Sequence, residues 1–407
     1  VQTEQVPRVT REQVEAAARV LDGVVQRTPV EPSRFASQAA GGEVLLKCEH
    51  LQRTGSFKLR GAYVRIARLS DTERAAGVVA ASAGNHAQGV ALAARLQDVP
   101  AVVFMPHNAP IPKVDATRAY GAEVRFVEGG VDECLVQAHA FCDEHGRTLV
   151  HPFDHADVIA GQGTLGLELV EQVPEVATVL VPVGGGGLLS GVAVAVRSLR
   201  PDVRLVGVQA TGADSFGPSL AAGEPRTLER TDTIADGIAV RTPGRLTLPH
   251  VAELVDEVVT VDDRATARAV LALMERAKQV VEPSGAVGLA ALLDGVVDVT
   301  PPTVVVLSGG NVDPLVLRTI LTTGLAAEGR YLTLRTRVAD RPGSLAALLD
   351  RVAGLRANVV TIEHHRSRQT LEVGQVEVVL ELETRGPKHA AEVLDHLRVD
   401  GFGAVPA

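Results

Sequence analysis

From Thr178 to Val196 the chain carries no charged side chain, a run about as long as a membrane-spanning helix. Read as one helix, it would have to hold Pro182 and four consecutive glycines, Gly184, Gly185, Gly186 and Gly187. Proline costs a helix interior about 3 kcal/mol and each glycine about 1 kcal/mol. Read as a strand (Val179 to Val183), a tight glycine turn and a helix from Leu188 to Leu199, every residue suits its place. No membrane span is therefore expected, and the stretch becomes one strand–turn–helix unit of a buried α/β fold.

The same rhythm recurs on either side. Glu43–Lys47, Gly77–Ser82, Ala101–Met105, Glu123–Val127, Leu149–Val150, Leu205–Val208 and Thr303–Ser308 read as apolar strands. Helical spacing follows several of them: from Lys58 through Leu69, from Ala83, through Lys113 to Tyr120, from Val131 to Glu144, and near Ala265–Ala277. An N-terminal helix from Thr10 to about Val25 precedes them, with Thr10 as its cap. Apolar strands alternating with helices mean parallel sheet covered on both faces. Two sheets are expected, one within residues 48–150 and one from the flanking segments. Near Tyr331 the pattern changes to alternation: Tyr331–Val338, Val359–His365 and Gln375–Leu382 read as half-exposed strands, with helices at Leu345–Leu355 and Pro387–Leu397. This βαββα order describes a small α+β unit, with little room after Leu397 for a last strand.

Composition narrows the function classes. A chain of 407 residues with 46% hydrophobic content is globular and has two or three domains. A formal net charge of -9 and few aromatic residues argue against nucleic-acid binding. Cys48, Cys134 and Cys142 show no metal or disulfide spacing and read as reduced thiols. The first residues show no apolar core of a secretory signal, so a cytoplasmic location is expected.

Five clusters carry chemistry. The glycine turn Gly184–Gly187 with Leu188 lets consecutive backbone N–H groups close on an anion at a helix start, which predicts a cup for a small phosphate ester. It lacks the lysine and hydroxyl of a nucleotide loop. Lys58 is one of only five lysines. It stands at a helix start beside Arg60, a setting that disfavours the ammonium form and suits a lysine that attacks carbonyls. Ser82-Ala-Gly-Asn-His-Ala-Gln-Gly89 offers donors between a strand and a helix, with His86 read as structural rather than catalytic. Ser308-Gly-Gly-Asn311 places a hydroxyl at a strand's carboxyl edge, where α/β folds bind ligands. Glu282-Pro-Ser-Gly-Ala286 reads as a buried acid before a turn. His151-Pro-Phe-Asp-His155 has neither helical spacing nor a nearby thiolate, and no metal site is expected there.

In this order, Ser56-Phe-Lys-Leu-Arg-Gly61, Ser82 to Gly89, Gly161-Gln-Gly-Thr164, Gly184 to Leu188, Glu282 to Ala286 and Ser308 to Asn311 resemble the threonine dehydratases, fold type II (tryptophan-synthase-β-like) pyridoxal phosphate enzymes. The tail resembles an ACT domain through Asp340-Arg-Pro-Gly-Ser-Leu345 and Asn358. The resemblance implies a catalytic region at 1–325, with a small subdomain (48–150) inserted in a large one (1–47 and 151–325), and a ferredoxin-like βαββαβ ACT unit at 331–407. It implies that Lys58 tethers pyridoxal 5'-phosphate and then acts as the α-proton base. Phe57 would pack near the cofactor, Asn85 would meet the ring's phenolic oxygen, Gly184, Gly185, Gly186, Gly187 and Leu188 would bind the phosphate, and Ser308 would face the ring nitrogen. Glu282 would border the cofactor. Ser82, Ala83, Gly84, Asn85, His86 and Phe153 would border an amino-acid substrate, threonine giving 2-oxobutanoate and ammonia, and serine giving pyruvate. Gly343 and Asn358 would contact an amino-acid effector, with isoleucine, valine and none left open. A homodimer or homotetramer is implied.

Departures separate the relatives. Serine racemases of this fold carry a serine where this chain has Ala83, which has no proton to give the opposite face. A divalent-cation site of some relatives would need carboxylates where Gln209 and Ser215 stand, and hard cations prefer charged oxygens. Serine or hydroxyaspartate dehydratase is the main rival. A non-catalytic amino-acid sensor is a second rival, argued against by the intact Lys58 and Ser308.

Overall fold

The computed structural model describes residues 8–366 and 372–407. The chain divides into two compact units, Val1–Leu317 and Arg318–Ala407. The first holds a six-stranded sheet in the spatial order Val30–Pro32, Val44–Lys47, Thr303–Val306, Thr178–Pro182, Arg204–Ala210, Glu257–Val261. All neighbours are parallel except the Val30–Pro32 edge, where Pro32 costs no ladder bond that a central strand would need. The central strands Thr178–Pro182 and Thr303–Val306 are buried along their whole length, as their uncharged sequences require. A second, four-stranded parallel sheet is ordered Glu123–Val127, Ala101–Pro106, Val78–Ala81, Thr148–Leu149. It is built from residues 78–149, and the first sheet from segments on both sides. Among the described residues no helix is long and apolar enough to cross a membrane.

Three features of this unit differ from the sequence reading. Glu257–Val261 is an edge strand that its mixed composition concealed. The helix near Ala265–Ala277 is α-helical over Asp263–Ala272 and widens to a π-helical turn at Leu273–Ala277, which Lys278 ends with a left-handed backbone (φ 61°). Glu282 does not precede a turn. It is the N-cap of a helix, Pro283–Leu293, whose first position is the proline that such a start favours.

Register places the site. Thr303–Val306 pairs in parallel with Thr178–Pro182 (Thr303 opposite Thr178), so the glycine turn and Ser308 leave adjacent strands at the same carboxyl edge. The loop before the helix Lys58–Ala67 is zipped to the segment after Thr303–Val306: Ser56 bridges Gly309, Phe57 N donates to Ser308 O at 3.2 Å, and Gly310 N donates to Gly55 O at 2.9 Å. Lys58 therefore opens its helix at that edge. The helix lies against Ala156–Gln172 at near-backbone contact, since a Cβ on Gly161 would meet Gly61 Cα at 2.6 Å. This is the physical reason for the small residues of Gly161-Gln-Gly-Thr164.

The second unit is an antiparallel sheet ordered Asn358–His365, Gln375–Glu383, Tyr331–Ala339, Val405–Pro406, with helices Ser344–Gly354 and Pro387–Val399. The last strand does form, although only Val405 and Pro406 pair, opposite Arg335 and Leu334. Its core is Leu334, Leu348, Val352, Val378, Leu380, Leu382, Val393 and Leu397, the inward positions of the alternating strands and amphipathic helices.

Candidate active site

Lys58 is the first residue of its helix and is half-buried. The Nζ donates to Pro152 O at 3.0 Å and lies 5.2 Å from the Phe57 ring centroid. Burial pushes the amine down to about 8, with Glu282 pulling the other way. The neighbouring Arg60, taken from sequence as a cause, contributes nothing appreciable. Its charge is consumed by Glu49 (2.8 Å) and Glu168 (2.7 Å), and Glu168 also holds Lys47 (2.6 Å). Glu49 in turn accepts the Thr28 hydroxyl. This ionic cluster anchors the first turn of the lysine helix.

The glycine turn is built for an anion. Among the described residues, the backbone N–H groups of Gly184, Gly185, Gly186, Gly187 and Leu188 donate to no protein acceptor. Gly186 has φ 95°, and a Cβ there would meet Phe216 at 2.7 Å and Thr247 at 2.8 Å, so no other residue fits. A side chain on Gly185 would fall inside the Phe153 ring. Phe153, expected beside the substrate, thus packs its ring on the glycine turn, edge-on to His151 with 4.7 Å between centroids.

Asn85 opens the helix Asn85–Arg95. Its Nδ2 donates to Glu282 Oε1 at 2.6 Å, and its Oδ1 accepts from Asn311 Nδ2 at 2.8 Å, which leaves one amide hydrogen to offer. Asn311 also donates to Thr54 O at 2.7 Å. Burial, reinforced by Asp236, pushes the Glu282 carboxyl up to about 7, against Lys113, Asn85 and Lys58. Lys113 in turn is paired with Asp236 at 3.0 Å. Ser308 is almost fully buried, and its hydroxyl makes no hydrogen bond among the described residues.

The structure brings Lys58, Phe57, Asn85, Glu282, Ser308 and the glycine turn to one sheet edge. Ser82, Ala83 and Gly84 form the turn before Asn85, with Ser82 Oγ accepting from Gly84 N at 3.1 Å. His86 turns away: its ring bonds Val150 O at 2.7 Å, and burial pushes it down to about 3, so it holds the helix in place as a neutral group. Gln209 directs its amide inward, Nε2 donating to Ala213 O at 3.2 Å and Oε1 accepting from Phe216 N at 3.0 Å. Among the described residues no cluster of histidine, cysteine and acidic side chains could hold a metal ion. His151 and His155 each spend Nδ1 on nearby backbone N–H groups.

In the second unit, Gly343 (φ 92°) caps Ser344–Gly354 with open space where a Cβ would stand. Asn358 is exposed at a strand start, its Nδ2 3.4 Å from Glu383 Oε2.

Sequence reasoning missed Asn311 as a partner of Asn85, the acid cluster around Arg60, and Asp154 with Thr247. Asn311 had a signal, its place in the Ser308–Asn311 run. Glu168 meets Arg60 and Asp154 meets Thr247 across more than ninety residues, and Glu49 meets Arg60 across 11, none of them with a local mark.

Residues 21–309 match the family described as pyridoxal-phosphate dependent enzyme, and residues 332–398 match the ACT domain. The chain is 47% identical over 395 residues to a protein of Thermotoga maritima named L-threonine ammonia-lyase, covering 97% of this chain and 98% of that one, so the likeness includes both units. Among solved structures it resembles a T.th. threonine deaminase (TM-score 0.71, 43% identity, 75% of this chain and 99% of that one). It also resembles maize serine racemase (TM-score 0.73, 39% identity, 79% of this chain and 98% of that one).

Proposed function

The chain belongs to the pyridoxal-phosphate dependent enzymes and carries an ACT domain behind the catalytic one, and on that footing we propose that it dehydrates and deaminates L-threonine to 2-oxobutanoate and ammonia, and L-serine to pyruvate. The observation that carries this reading is the convergence at one sheet edge of the half-buried Lys58 amine, a run of backbone donors unpaired among the described residues and a buried hydroxyl. The whole-length identity to the Thermotoga protein supports threonine as the first substrate.

The residues present fit pyridoxal phosphate. The donors of Gly184 to Leu188 would take its phosphate, Lys58 its aldehyde carbon, Asn85 its phenolic oxygen and Ser308 its ring nitrogen, with Phe57 packed alongside. When bound, this cofactor supplies the electron sink that acidifies the α-carbon of an amino acid joined to it. The chain's own residues supply the proton handling. Lys58, with its amine at about 8, is roughly a tenth neutral at pH 7 and serves as base toward the α-proton once displaced by substrate. Ser308, a neutral hydroxyl, would not enforce a charge on the ring nitrogen of that cofactor. Ser82, Gly84 and Asn85 would receive the substrate carboxylate at the helix start. Ala83 offers no proton on the opposite face, which argues against racemisation.

We infer further that residues 1–325 form the catalytic region, with 48–150 as its inserted part, and that 331–407 bind an amino-acid effector through Gly343 and Asn358. The mostly exposed edge strand Asn358–His365, with Val360 and Ile362 outward, supports pairing between copies.

The test is a visible spectrum of pure protein, reconstituted with pyridoxal phosphate, followed by keto-acid release from threonine, serine and 3-hydroxyaspartate. Absence of a cofactor band, or normal turnover by K58A, contradicts the proposal. Faster release from 3-hydroxyaspartate would move it to the rival substrate.

A further inference from the structure

The segment His151–His155 is not explained by the proposed chemistry, yet it touches both ends of the site. On one side Pro152 O accepts the Lys58 amine at 3.0 Å. His151 Nδ1 accepts from Asp154 N at 2.8 Å and Phe153 N at 3.3 Å, which folds the segment into a tight knot. On the other side, Phe153 lies on Gly185 and Gly187. The Asp154 carboxylate reaches across the chain to the start of the helix Thr247–Leu254. It accepts from Arg245 N at 2.9 Å, Leu246 N at 2.8 Å and Thr247 N at 3.4 Å. Gly244 leaves no room for a side chain there, since its Cβ would meet Asp154.

Thr247 completes the path. Its buried hydroxyl donates to Gly185 O at 2.6 Å, and Gly244 N donates to the same oxygen at 3.3 Å. A trans peptide is planar, so its C=O and the following N–H point in opposite directions. Two donors on the Gly185 carbonyl therefore fix the direction of the Gly186 N–H, one of the unpaired donors of the glycine turn. Glycine has no side chain to hold a peptide plane, so the orientation has to come from outside the turn.

We infer that Thr247 and Asp154 are positioning residues for the phosphate end of the cofactor: Asp154 holds the start of the Thr247 helix, and Thr247 aims the Gly185–Gly186 peptide. The inference rests on the reading of the glycine turn as the phosphate site. It assigns the His151–His155 motif a task, since one short segment then sets the distance between the lysine amine and the phosphate donors.

The test uses the full-length apoprotein titrated with two probes, pyridoxal 5'-phosphate and pyridoxal, with Kd read from the visible absorbance. T247V removes the donor with little change of shape. It is expected to weaken pyridoxal phosphate about tenfold and to leave pyridoxal within about twofold. T247S is expected to restore the lost affinity. D154N, which keeps an acceptor oxygen but sets an amide N–H against backbone donors, is expected to show the same selectivity, at about threefold. Equal weakening of both probes, or none, in T247V and D154N overturns the inference, because a merely structural role does not distinguish a phosphate. Should the unmodified protein bind the two probes equally, the phosphate reading itself falls, and the positioning role with it.

Discussion

Lys58 and Arg60 stand two residues apart on one helix, Lys58 half-buried and Arg60 fully buried. Lys58 is given a single carbonyl at 3.0 Å. Arg60 is given two carboxylates and a hydroxyl, with contacts to Glu49, Glu168 and Thr164. Burial opposes the charge of both. At Lys58 burial wins, and the amine falls to about 8. At Arg60 the carboxylates more than offset it, and the guanidinium is held above its usual range. Neighbouring positions on one helix thus make a reactive base of one side chain and a strut of the other. The difference lies in the partners supplied.

That contrast breaks down if the two positions respond alike to mutation. The largest effect is expected at Lys58→Met, where turnover of threonine falls about 10⁴-fold, measured as keto-acid release. The apoprotein should at the same time become more stable at pH 7, by at most about 3 kcal/mol, because a poorly partnered, half-buried ammonium is gone. The folded pKa is lowered, so between about 8 and the unfolded value of about 10.4 the unfolded state binds the extra proton. Wild-type stability therefore rises with pH across that window, and the variant's advantage fades there. Arg60→Met should act the opposite way, destabilising the fold by about 3–5 kcal/mol in urea unfolding, because Glu49 is left fully buried without its guanidinium and Glu168 keeps only Lys47.

Glu49→Gln sharpens the picture at smaller scale, with a loss of about 2 kcal/mol near neutrality. Burial would raise the Glu49 carboxyl, but Arg60, Lys47 and Thr28 together hold it below its usual value. A depressed folded pKa stabilises above the unfolded value of about 4.3 and is lost as pH falls through the folded one. Acid unfolding should accordingly be less steep in the variant than in the wild type. The smallest effect is expected from Glu282→Gln. Glu282 raises the Lys58 amine, so its neutralisation should move the Lys58 titration downward, by less than about one pH unit.

The contrast was not legible in the sequence. Lys58 and Arg60 both read as cations at a helix start, and Arg60 was credited with an influence that Glu49 and Glu168 absorb. What was legible was local. Four glycines after an uncharged strand, and alternation that changes period near Tyr331, are marks that the backbone imposes on neighbouring residues. The strand–helix order, the glycine turn, Lys58 and the edge hydroxyl Ser308 came from such marks. The family's motif order supplied what those marks leave open, including Asn85 and the ACT unit. Hidden from both were contacts between separate segments, the Phe153 ring on Gly185 and Asp154 on the Thr247 helix, while the local role of Glu282 as a cap was masked because Pro-Ser-Gly reads equally as a turn. No periodicity records which carboxylate a buried arginine will meet.

The Lys58 amine, half-buried and lowered to about 8, can be read from its own titration. The rate at which apoprotein develops the visible band with pyridoxal phosphate, followed from pH 6 to pH 10, should rise with a midpoint at about 8 and vanish in K58M. A midpoint near the ordinary lysine value of about 10.4, or a band that survives in K58M, would contradict the account.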